Sequence, residues 1–316
     1  MIDDRARLTG TLAYLSTRCG FKMGCVAIRV CPGVAFRLSD GLAKIGFYLF
    51  RGFRNRSIAN IRIALGDGLS SREIGAVARQ SLRNFFRACV EVGGAVVAAD
   101  GKIKAEIPIV GRKHLDAALA KGKGVLLLSA HLGNFFLVGC RIAIEGVPTF
   151  VLVNQPRDGR VAELMDDYRR QVRQKTIHAR PRHRALRELT EVLRRNQIAI
   201  IIADEYRRGS GIEVPLFGKR VIARRGAVSL ALRTGAAVVP ACMVRQADDS
   251  LRLVIEPELE LARDERNAAA IRENTLRITR WLERTVRSYP EQWNWMNIHW
   301  WVDDTNGATD SKQQPN

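Results

Sequence analysis

The side chain best placed to do chemistry is a histidine that directly follows a short apolar run. Residues 124–129 read Gly-Val-Leu-Leu-Leu-Ser and are followed by Ala130 and His131. The run predicts a buried strand, and residues 134–144 predict a helix. Ligands bind at the carboxyl ends of parallel strands, and a nearby helix N-terminus favours neutral imidazole. Because neutral imidazole can accept a proton from a hydroxyl, His131 is a candidate general base.

A structural role for the same histidine is also open. His131 could cap the following helix or pack in the core, and spacing alone does not separate these roles from catalysis. Gly133 would allow the backbone to approach a substrate closely. Asn134 is placed to cap the helix.

The elements that must position His131 alternate between strand and helix from residue 100 to residue 260. Strands are predicted at 124–129, 149–153, 198–203, 237–244 and 251–255, and helices at 134–144, 160–174 and 185–195. This alternation predicts an α/β fold with a largely parallel central sheet flanked by helices. A final amphipathic helix is predicted over 267–288.

Residues 1–100 are predicted to be helical, with Ser70 and Ser71 as N-cap candidates for a helix that follows them. The apolar stretches 23–36 and 41–50 are broken by single basic residues and are shorter than the ~20 residues of a spanning helix. They are typical of helices lying in a membrane interface, and an ordinary packed hairpin is the alternative. We therefore expect a membrane-associating region over 1–100, an α/β domain over 101–304 and a disordered tail over 305–316.

The charge balance of 51 basic and 32 acidic residues, a net charge of +19, indicates an anionic partner. Nucleic acid, an acidic membrane surface and an acidic protein all qualify. The densest basic run lies between Tyr168 and Tyr206 and contains no aromatic residue, so a stacking platform for single strands is not indicated. We favour an anionic membrane surface and expect no nucleic-acid binding.

The six cysteines show no paired spacing typical of a zinc site. We expect them to be small buried hydrophobic residues in a reducing compartment. No metal site is predicted.

Three blocks of sequence, in order, carry a family resemblance. The first is 130–135; the second begins at 203–205 and continues through 214–219, 225–226 and 231–240; the third is 289–296. Together they resemble the bacterial lipid A late acyltransferases (lauroyl/myristoyl type) of the lysophospholipid acyltransferase superfamily. The resemblance covers 40–302 and implies a glycerolipid acyltransferase-like fold, with 101–304 as the acyltransferase domain.

The resemblance implies acyl transfer from a thioester donor, acyl carrier protein or coenzyme A, to a membrane lipid acceptor such as a lipid A precursor or a lysolipid. His131 matches the family's general base, and backbone N–H groups or basic side chains would stabilise the oxyanion. No cofactor is implied. The implied location is the cytoplasmic face of the inner membrane, with peripheral or monotopic attachment.

One position departs from the family pattern, in which an Asp or Glu lies five residues after the histidine. Here that residue is Phe136, which cannot accept a hydrogen bond. Removing an orienting acid costs on the order of 10⁴ in rate in a hydrolase triad. Asp204 stands where the family has an acidic residue, and the adjacent Glu205 is an additional carboxylate.

Three explanations of Phe136 are open. Asp204 or Glu205 could reach His131 from a neighbouring strand end, forming a rearranged catalytic pair. His131 could act alone on a more acidic or more nucleophilic acceptor, such as an amine. The chain could also be a degenerate paralogue that binds lipid or acyl carrier protein without turnover.

The resemblance also suggests substrate-binding residues: Asn134, Phe136, Gln155, Arg157, Phe217, Gly218, Lys219 and Arg225. Gln155 stands where relatives usually carry a basic residue, and the nearby Arg157 is its candidate substitute. Lys219, Arg220, Arg224 and Arg225 are candidates to hold a phosphate or the donor's phosphopantetheine, with a solvated basic turn as the alternative. We expect Trp293 and Trp295 in the core, and Trp300 and Trp301 at the membrane interface.

Overall fold

The computed structural model describes residues 2–156, 158–206, 209–262, 267–298 and 300. Within these residues the helices are α1 (Ile2–Val30), α2 (Pro32–Leu49), α3 (Arg51–Leu65), α4 (Ser71–Val97), α5 (Asp100–Glu106), α6 (Arg112–Leu119), α7 (Val138–Ala143), α8 (Gly159–Gln171), α9 (Arg182–Arg194), α10 (Gly226–Thr234) and α11 (Ala268–Ser288). The strands are β1 (Ile109–Val110), β2 (Val125–Ser129), β3 (Thr149–Val153), β4 (Lys175–His178), β5 (Ile198–Ile202), β6 (Ile212–Leu216), β7 (Lys219–Ala223), β8 (Ala237–Arg245) and β9 (Leu251–Ile255). Arg157, Trp301 and the tail predicted to be disordered, 305–316, lie outside the described residues.

The central sheet has the strand order β1-β9-β8-β2-β5-β3-β4. All neighbouring strands are parallel except β8 and β9, which form an antiparallel pair. The strands β6 and β7 form a separate antiparallel hairpin. The prediction of a largely parallel sheet flanked by helices is therefore confirmed, with β9 and β1 running opposite to the other five strands.

Strand β2 lies at the centre of the sheet, and its residues Val125–Ser129 are fully buried. A strand covered by helices on both faces needs an uninterrupted apolar sequence, which is why β2 could be predicted from the sequence. The predicted bounds 149–153 and 251–255 agree with β3 and β9. Strand β4 was not predicted. Ile177 is its only fully buried residue, so the strand has no apolar run that would mark it in the sequence.

The N-terminal helices form as predicted, and α4 begins with a reciprocal cap. The Ser70 hydroxyl accepts from the Glu73 backbone N–H at 3.3 Å, and the Glu73 carboxylate accepts from the Ser70 N–H at 2.7 Å. This pairing satisfies two amide groups that a helix start otherwise leaves unbonded. Ser71 is the first residue of the helix rather than its cap.

Side chains of α3 and α4 bond the backbone of the segment that follows α11. The Asn60 amide donates to the Trp295 carbonyl at 2.6 Å, and the Ser81 hydroxyl donates to the Trp293 carbonyl at 2.7 Å. Buried side chains of both helices belong to the same hydrophobic core as β2 and α11. Helices α3 and α4 are thus structural parts of the α/β unit.

The surface of α1 and α2 carries a row of exposed apolar side chains. We call the following eight residues the apolar stripe; each is 51–71% exposed: Met23, Val26, Val30, Val34, Leu38, Leu42, Ile45 and Leu49. Within each helix they recur every three or four residues, which places them on one face. None of the described helices combines the length and the apolarity needed to cross a bilayer.

Two predictions about burial are wrong. Cys19, Cys31 and Cys89 are exposed, and only Cys140 and Cys242 are fully buried. Cys19 lies on α1, Cys31 lies between α1 and α2, and Cys89 lines a cavity. Trp300 is buried rather than placed at an interface, and its indole N–H donates to the Asn60 side chain at 2.9 Å. A buried polar partner was available to the indole, and sequence spacing could not reveal it.

Candidate active site

His131 and Asp204 lie side by side at the carboxyl edge of the sheet. Strands β2 and β5 are paired in parallel with Ser129 opposite Ile202, and each of the two residues comes two positions after its strand's paired end. His131 Nδ1 lies 2.8 Å from Asp204 Oδ1. The carboxylate that contacts the imidazole therefore comes from the neighbouring strand.

Asp204 is held by two further donors. Its Oδ2 accepts the backbone N–H of His131 at 2.8 Å and the indole N–H of Trp293 at 2.7 Å. Burial by itself raises the pKa of this carboxyl, but the charge of His131 and the hydrogen bonds from His131 and Trp293 outweigh it, so the pKa lies below its ordinary value. Asp204 consequently stays ionised at neutral pH, although its side chain is only 2% exposed.

This arrangement decides what the imidazole can do. With Nδ1–H donating to the carboxylate, Nε2 is the nitrogen that accepts a proton, and the carboxylate stabilises the imidazolium that results. Glu205 accepts from the Asn154 side-chain amide at 3.3 Å. Of the two candidate carboxylates, Asp204 therefore makes the hydrogen bond to His131 Nδ1.

Phe136 takes no part in orienting the imidazole through a polar contact. Its ring packs on Phe135 with centroids 4.0 Å apart, and Phe135 in turn meets the His131 ring edge-on at 4.9 Å. Phe136 is 37% exposed and lines a cavity. The position that holds an acid in the family pattern is thus part of an aromatic wall.

The loop after His131 is fixed by its own backbone. The Gly133 N–H donates to the Gln292 carbonyl, the Asn134 N–H to the Met243 carbonyl and the Asn294 N–H to the His131 carbonyl, each at 2.9 Å. Gly133 has φ +58°, and a Cβ there would lie 1.9 Å from the Met243 carbonyl oxygen. Glycine is required by this contact with β8 rather than by approach of a substrate.

Asn134 is fully buried and does not cap the following helix. Its side-chain amide donates to the Glu91 carboxylate at 2.7 Å. Glu91 also pairs with Arg245, and their side chains are only 10% and 5% exposed. Because breaking a buried pair leaves an uncompensated charge, the Glu91–Arg245 pair ties α4 firmly to β8, and the Asn134 hydrogen bond joins the loop after β2 to it. The substrate-binding role of Asn134 stays a prediction.

His131 opens into a cavity of about 2150 Å³. The cavity is larger than typical small-molecule pockets of ~300–1,000 Å³. Its lining is mostly apolar and includes Phe21, Val90, Val151, Met165, Tyr168 and Val172. Among the predicted site residues, His131, Phe136, Glu205 and Arg225 line it. This volume and lining suit a long hydrocarbon chain.

Other predicted substrate-binding residues are not part of the cavity lining. Phe217 is buried against Trp293 and Trp295, and its backbone N–H donates to the Glu283 carboxylate at 2.8 Å. Gly218 and Lys219 belong to the β6–β7 hairpin, and Gln155 is an exposed residue after β3. The roles of these residues and of Arg157, which lies outside the described residues, stay predictions.

Sequence reasoning missed two features of the site. Trp293 was assigned to the core, which is correct, but its bond to Asp204 had no signal in the sequence. Arg180 and Arg182 line the cavity and were noted only as part of a basic run. In the described part of the chain, no three His, Cys, Asp or Glu side chains are grouped so that they could hold a metal ion.

Comparison with known proteins bears directly on this site. Residues 11–301 match the family model described as "Bacterial lipid A biosynthesis acyltransferase". The chain belongs to this family. As a member of the lipid A biosynthesis acyltransferase family, the protein is an acyltransferase, and membership supports a lipid as the acceptor.

Three known acyltransferases are similar to this chain. The lipid A biosynthesis palmitoleoyltransferase of Escherichia coli is 25% identical over 231 residues, 72% of each chain, and the lauroyltransferase of the same organism is 20% identical over 288 residues, 90% of each. The phosphatidylinositol mannoside acyltransferase of Mycobacterium tuberculosis is 32% identical over 134 residues. This match covers 42% of the chain and 42% of the mycobacterial protein's length.

Proposed function

We propose that the protein transfers a fatty acyl chain from an acyl thioester, on acyl carrier protein or coenzyme A, to a hydroxyl of a membrane lipid such as a lipid A precursor or a lysolipid. The observation that carries the proposal is the His131–Asp204 pair at a large apolar cavity. The cavity suits an acyl chain, and the pair suits removal of a hydroxyl proton. The family's lipid A and phosphatidylinositol mannoside acyltransferases support a glycolipid acceptor.

In the proposed reaction, the acceptor hydroxyl gives its proton to His131 Nε2 while its oxygen attacks the thioester carbonyl carbon. The tetrahedral intermediate collapses as the C–S bond breaks. The departing thiolate takes the proton back from the imidazolium, so the products are an ester and a free thiol. Asp204 stays ionised throughout and stabilises the imidazolium.

Three backbone amides in the loop that begins at His131 already donate to other groups of the fold. The N–H groups of His131, Gly133 and Asn134 donate to Asp204, Gln292 and Met243 respectively. An amide that already donates elsewhere in the fold is a poor donor for a developing oxyanion. Of the two expected sources of stabilisation, we therefore favour basic side chains that face the cavity.

We assign the apolar stripe to peripheral or monotopic attachment at the cytoplasmic face of the inner membrane. Fully burying one such side chain contributes about 1.5–3 kcal/mol. The exposed basic residues Lys22, Arg29, Arg37 and Lys44 on the same helices can reach anionic headgroups. Helix α1 also contributes Phe21, stacked on Tyr168, to the cavity wall. One helix thus links the proposed membrane face to the cavity.

The alternative, a degenerate paralogue that binds lipid or acyl carrier protein without turnover, rests on the missing acid at position 136. Asp204 makes the hydrogen bond that a residue at 136 would otherwise make. The argument from Phe136 therefore no longer favours loss of activity.

The deciding experiment compares wild type and His131→Ala in acyl transfer from acyl carrier protein or coenzyme A to lipids in vesicles. Removing a general base costs about 10²–10⁴ in kcat, and we expect a loss in this range. His114→Ala is the control, because His114 on α6 does not line the cavity. Equal turnover by wild type and His131→Ala would refute the proposal.

A further inference from the structure

The arginines that line the same cavity as His131 include Arg180, Arg182, Arg224 and Arg225, which lie beside the starts of α9 and α10. We call these four the arginine quartet. All four are exposed, and none forms an ion pair with an acidic residue in the described part of the chain. The acidic lining residue described there is Glu205. Among the described residues, this wall of the cavity therefore carries more positive than negative charge.

The quartet comes from two chain segments that meet at the cavity. Arg180 and Arg182 flank the start of α9, and Arg224 and Arg225 directly precede α10. Helices α9 and α10 pack against each other. Neither has an acidic residue in its first turn or a side-chain cap, so their N-terminal partial charges add to those of the guanidinium groups.

The order of the strands gives the distance from the Arg180 end of this wall to the base. His131 follows β2 and Arg180 follows β4, and the strands between them are β5 and β3. Three spacings of about 4.8 Å between neighbouring strands place the backbone at Arg180 roughly 14 Å from that at His131. An anion bound there would be far from the reacting atoms.

In a 4′-phosphopantetheine thioester, the phosphate lies at a comparable distance from the sulfur. About thirteen bonds separate the sulfur from the phosphorus, equivalent to roughly four residues of extended chain, or about 15 Å. With the thioester at His131, the phosphate would lie at the level of Arg180. Guanidinium groups are well suited to a phosphate because they can donate two parallel hydrogen bonds.

We propose that the arginine quartet binds the phosphate of the phosphopantetheine arm that carries the acyl group. The inference rests on the proposed function and assigns a site to its donor. The phosphate is common to acyl carrier protein and coenzyme A. A phosphate on the lipid acceptor has the same chemistry, and the experiments below separate the two sources.

The first test measures binding without turnover, by titrating the full chain with 4′-phosphopantetheine and with pantetheine. Each charge-assisted contact is worth about tenfold or more in affinity, so wild type should prefer the phosphorylated compound at least tenfold. We expect Arg180→Gln/Arg182→Gln and Arg224→Gln/Arg225→Gln each to reduce this preference about tenfold. Arg187→Gln/Arg194→Gln is the control, because it removes the same charge from exposed positions of α9 that do not line the cavity. Equal affinity of wild type for the two compounds would overturn the proposal, as would an undiminished preference in both quartet variants.

The second test uses turnover with separately varied donor and acceptor. The quartet variants should raise the donor KM about tenfold with either carrier, with kcat and the acceptor KM unchanged. An increase in the acceptor KM alone would assign the phosphate to the lipid and overturn the proposal. If His131→Ala were as active as wild type, the proposed function would fail, and the binding preference would still decide the phosphate site.

Discussion

The surroundings of Asp204 and the apolar stripe on α1 and α2 differ in how they are built. Asp204 is almost completely buried, and each of its oxygens is placed by a hydrogen bond of 2.7–2.8 Å. The eight residues of the stripe are 51–71% exposed and present no specific polar geometry. The role of Asp204 depends on a few individual hydrogen bonds, whereas the contribution of the stripe depends on its total exposed apolar area. Single substitutions should therefore have large effects near Asp204 and smaller, additive effects on the stripe.

The largest effect is expected from Asp204→Asn. The amide keeps the shape of the side chain but cannot stabilise an imidazolium, and the analogous change in a hydrolase triad lowers kcat by about 10⁴. We expect a loss of about 10³–10⁴ in kcat in the vesicle assay. A smaller loss than that of Glu205→Gln would show that the wrong carboxylate has been assigned.

The next largest effect tests the stripe, using Leu38→Glu combined with Leu42→Glu. Each Leu contributes about 1.5–3 kcal/mol if fully buried, so two partly buried side chains should weaken vesicle binding by about 100-fold. Co-sedimentation with anionic vesicles measures this binding. Val97→Glu/Val110→Glu is the control, since both residues are exposed outside the stripe. Equal binding by the two double variants would exclude the stripe as the membrane contact.

A smaller effect is expected from Trp293→Phe, which keeps a buried ring but removes the indole N–H that donates to Asp204. Hydrogen bonds to charged groups contribute about 1.5–3 kcal/mol, and part of the loss falls on stability, so we expect roughly a tenfold lower kcat with KM unchanged. Trp295→Phe is the control: Trp295 is equally buried, and its indole donates to the Pro290 carbonyl. If both variants lost kcat equally, the bond to Asp204 would have no special role.

The smallest effect is expected from Phe136→Glu, which restores the acid of the family pattern. Asp204 already bonds Nδ1, and Phe136 is part-exposed at the cavity wall. We therefore expect no gain in kcat over wild type. A tenfold increase in kcat would show that Asp204 does not fulfil the role of the missing acid.

The fold was predictable wherever burial leaves a pattern along the chain. Strands β2 and β3 were predicted because they are apolar runs, β9 because only Arg252 interrupts its apolar residues, and α4 because it has a cap and a helical period. The hairpin β6–β7 and the edge strand β4 were not, because each mixes buried with exposed residues and has no continuous apolar signal. The membrane-facing interpretation of α1 and α2 stays a prediction.

The candidate site was predictable only in part, for a different reason. His131 could be selected because a histidine after a buried strand is a local pattern. The choice between Asp204 and Glu205 was not local, because adjacent residues differ in where their side chains point and the sequence does not say which strand pairs with β2.

By itself, the sequence determined the α/β class, the family and the histidine, since each depends on residue types at short spacing. Only the tertiary structure decided that Asp204 bonds the imidazole across 73 positions of sequence, that Trp293 holds the carboxylate, and that two separate arginine pairs line one cavity. These contacts depend on strand order and on distances of a few ångströms, because hydrogen bonds lose their strength within less than one ångström. The order of residue types along the chain does not specify interatomic distances that finely.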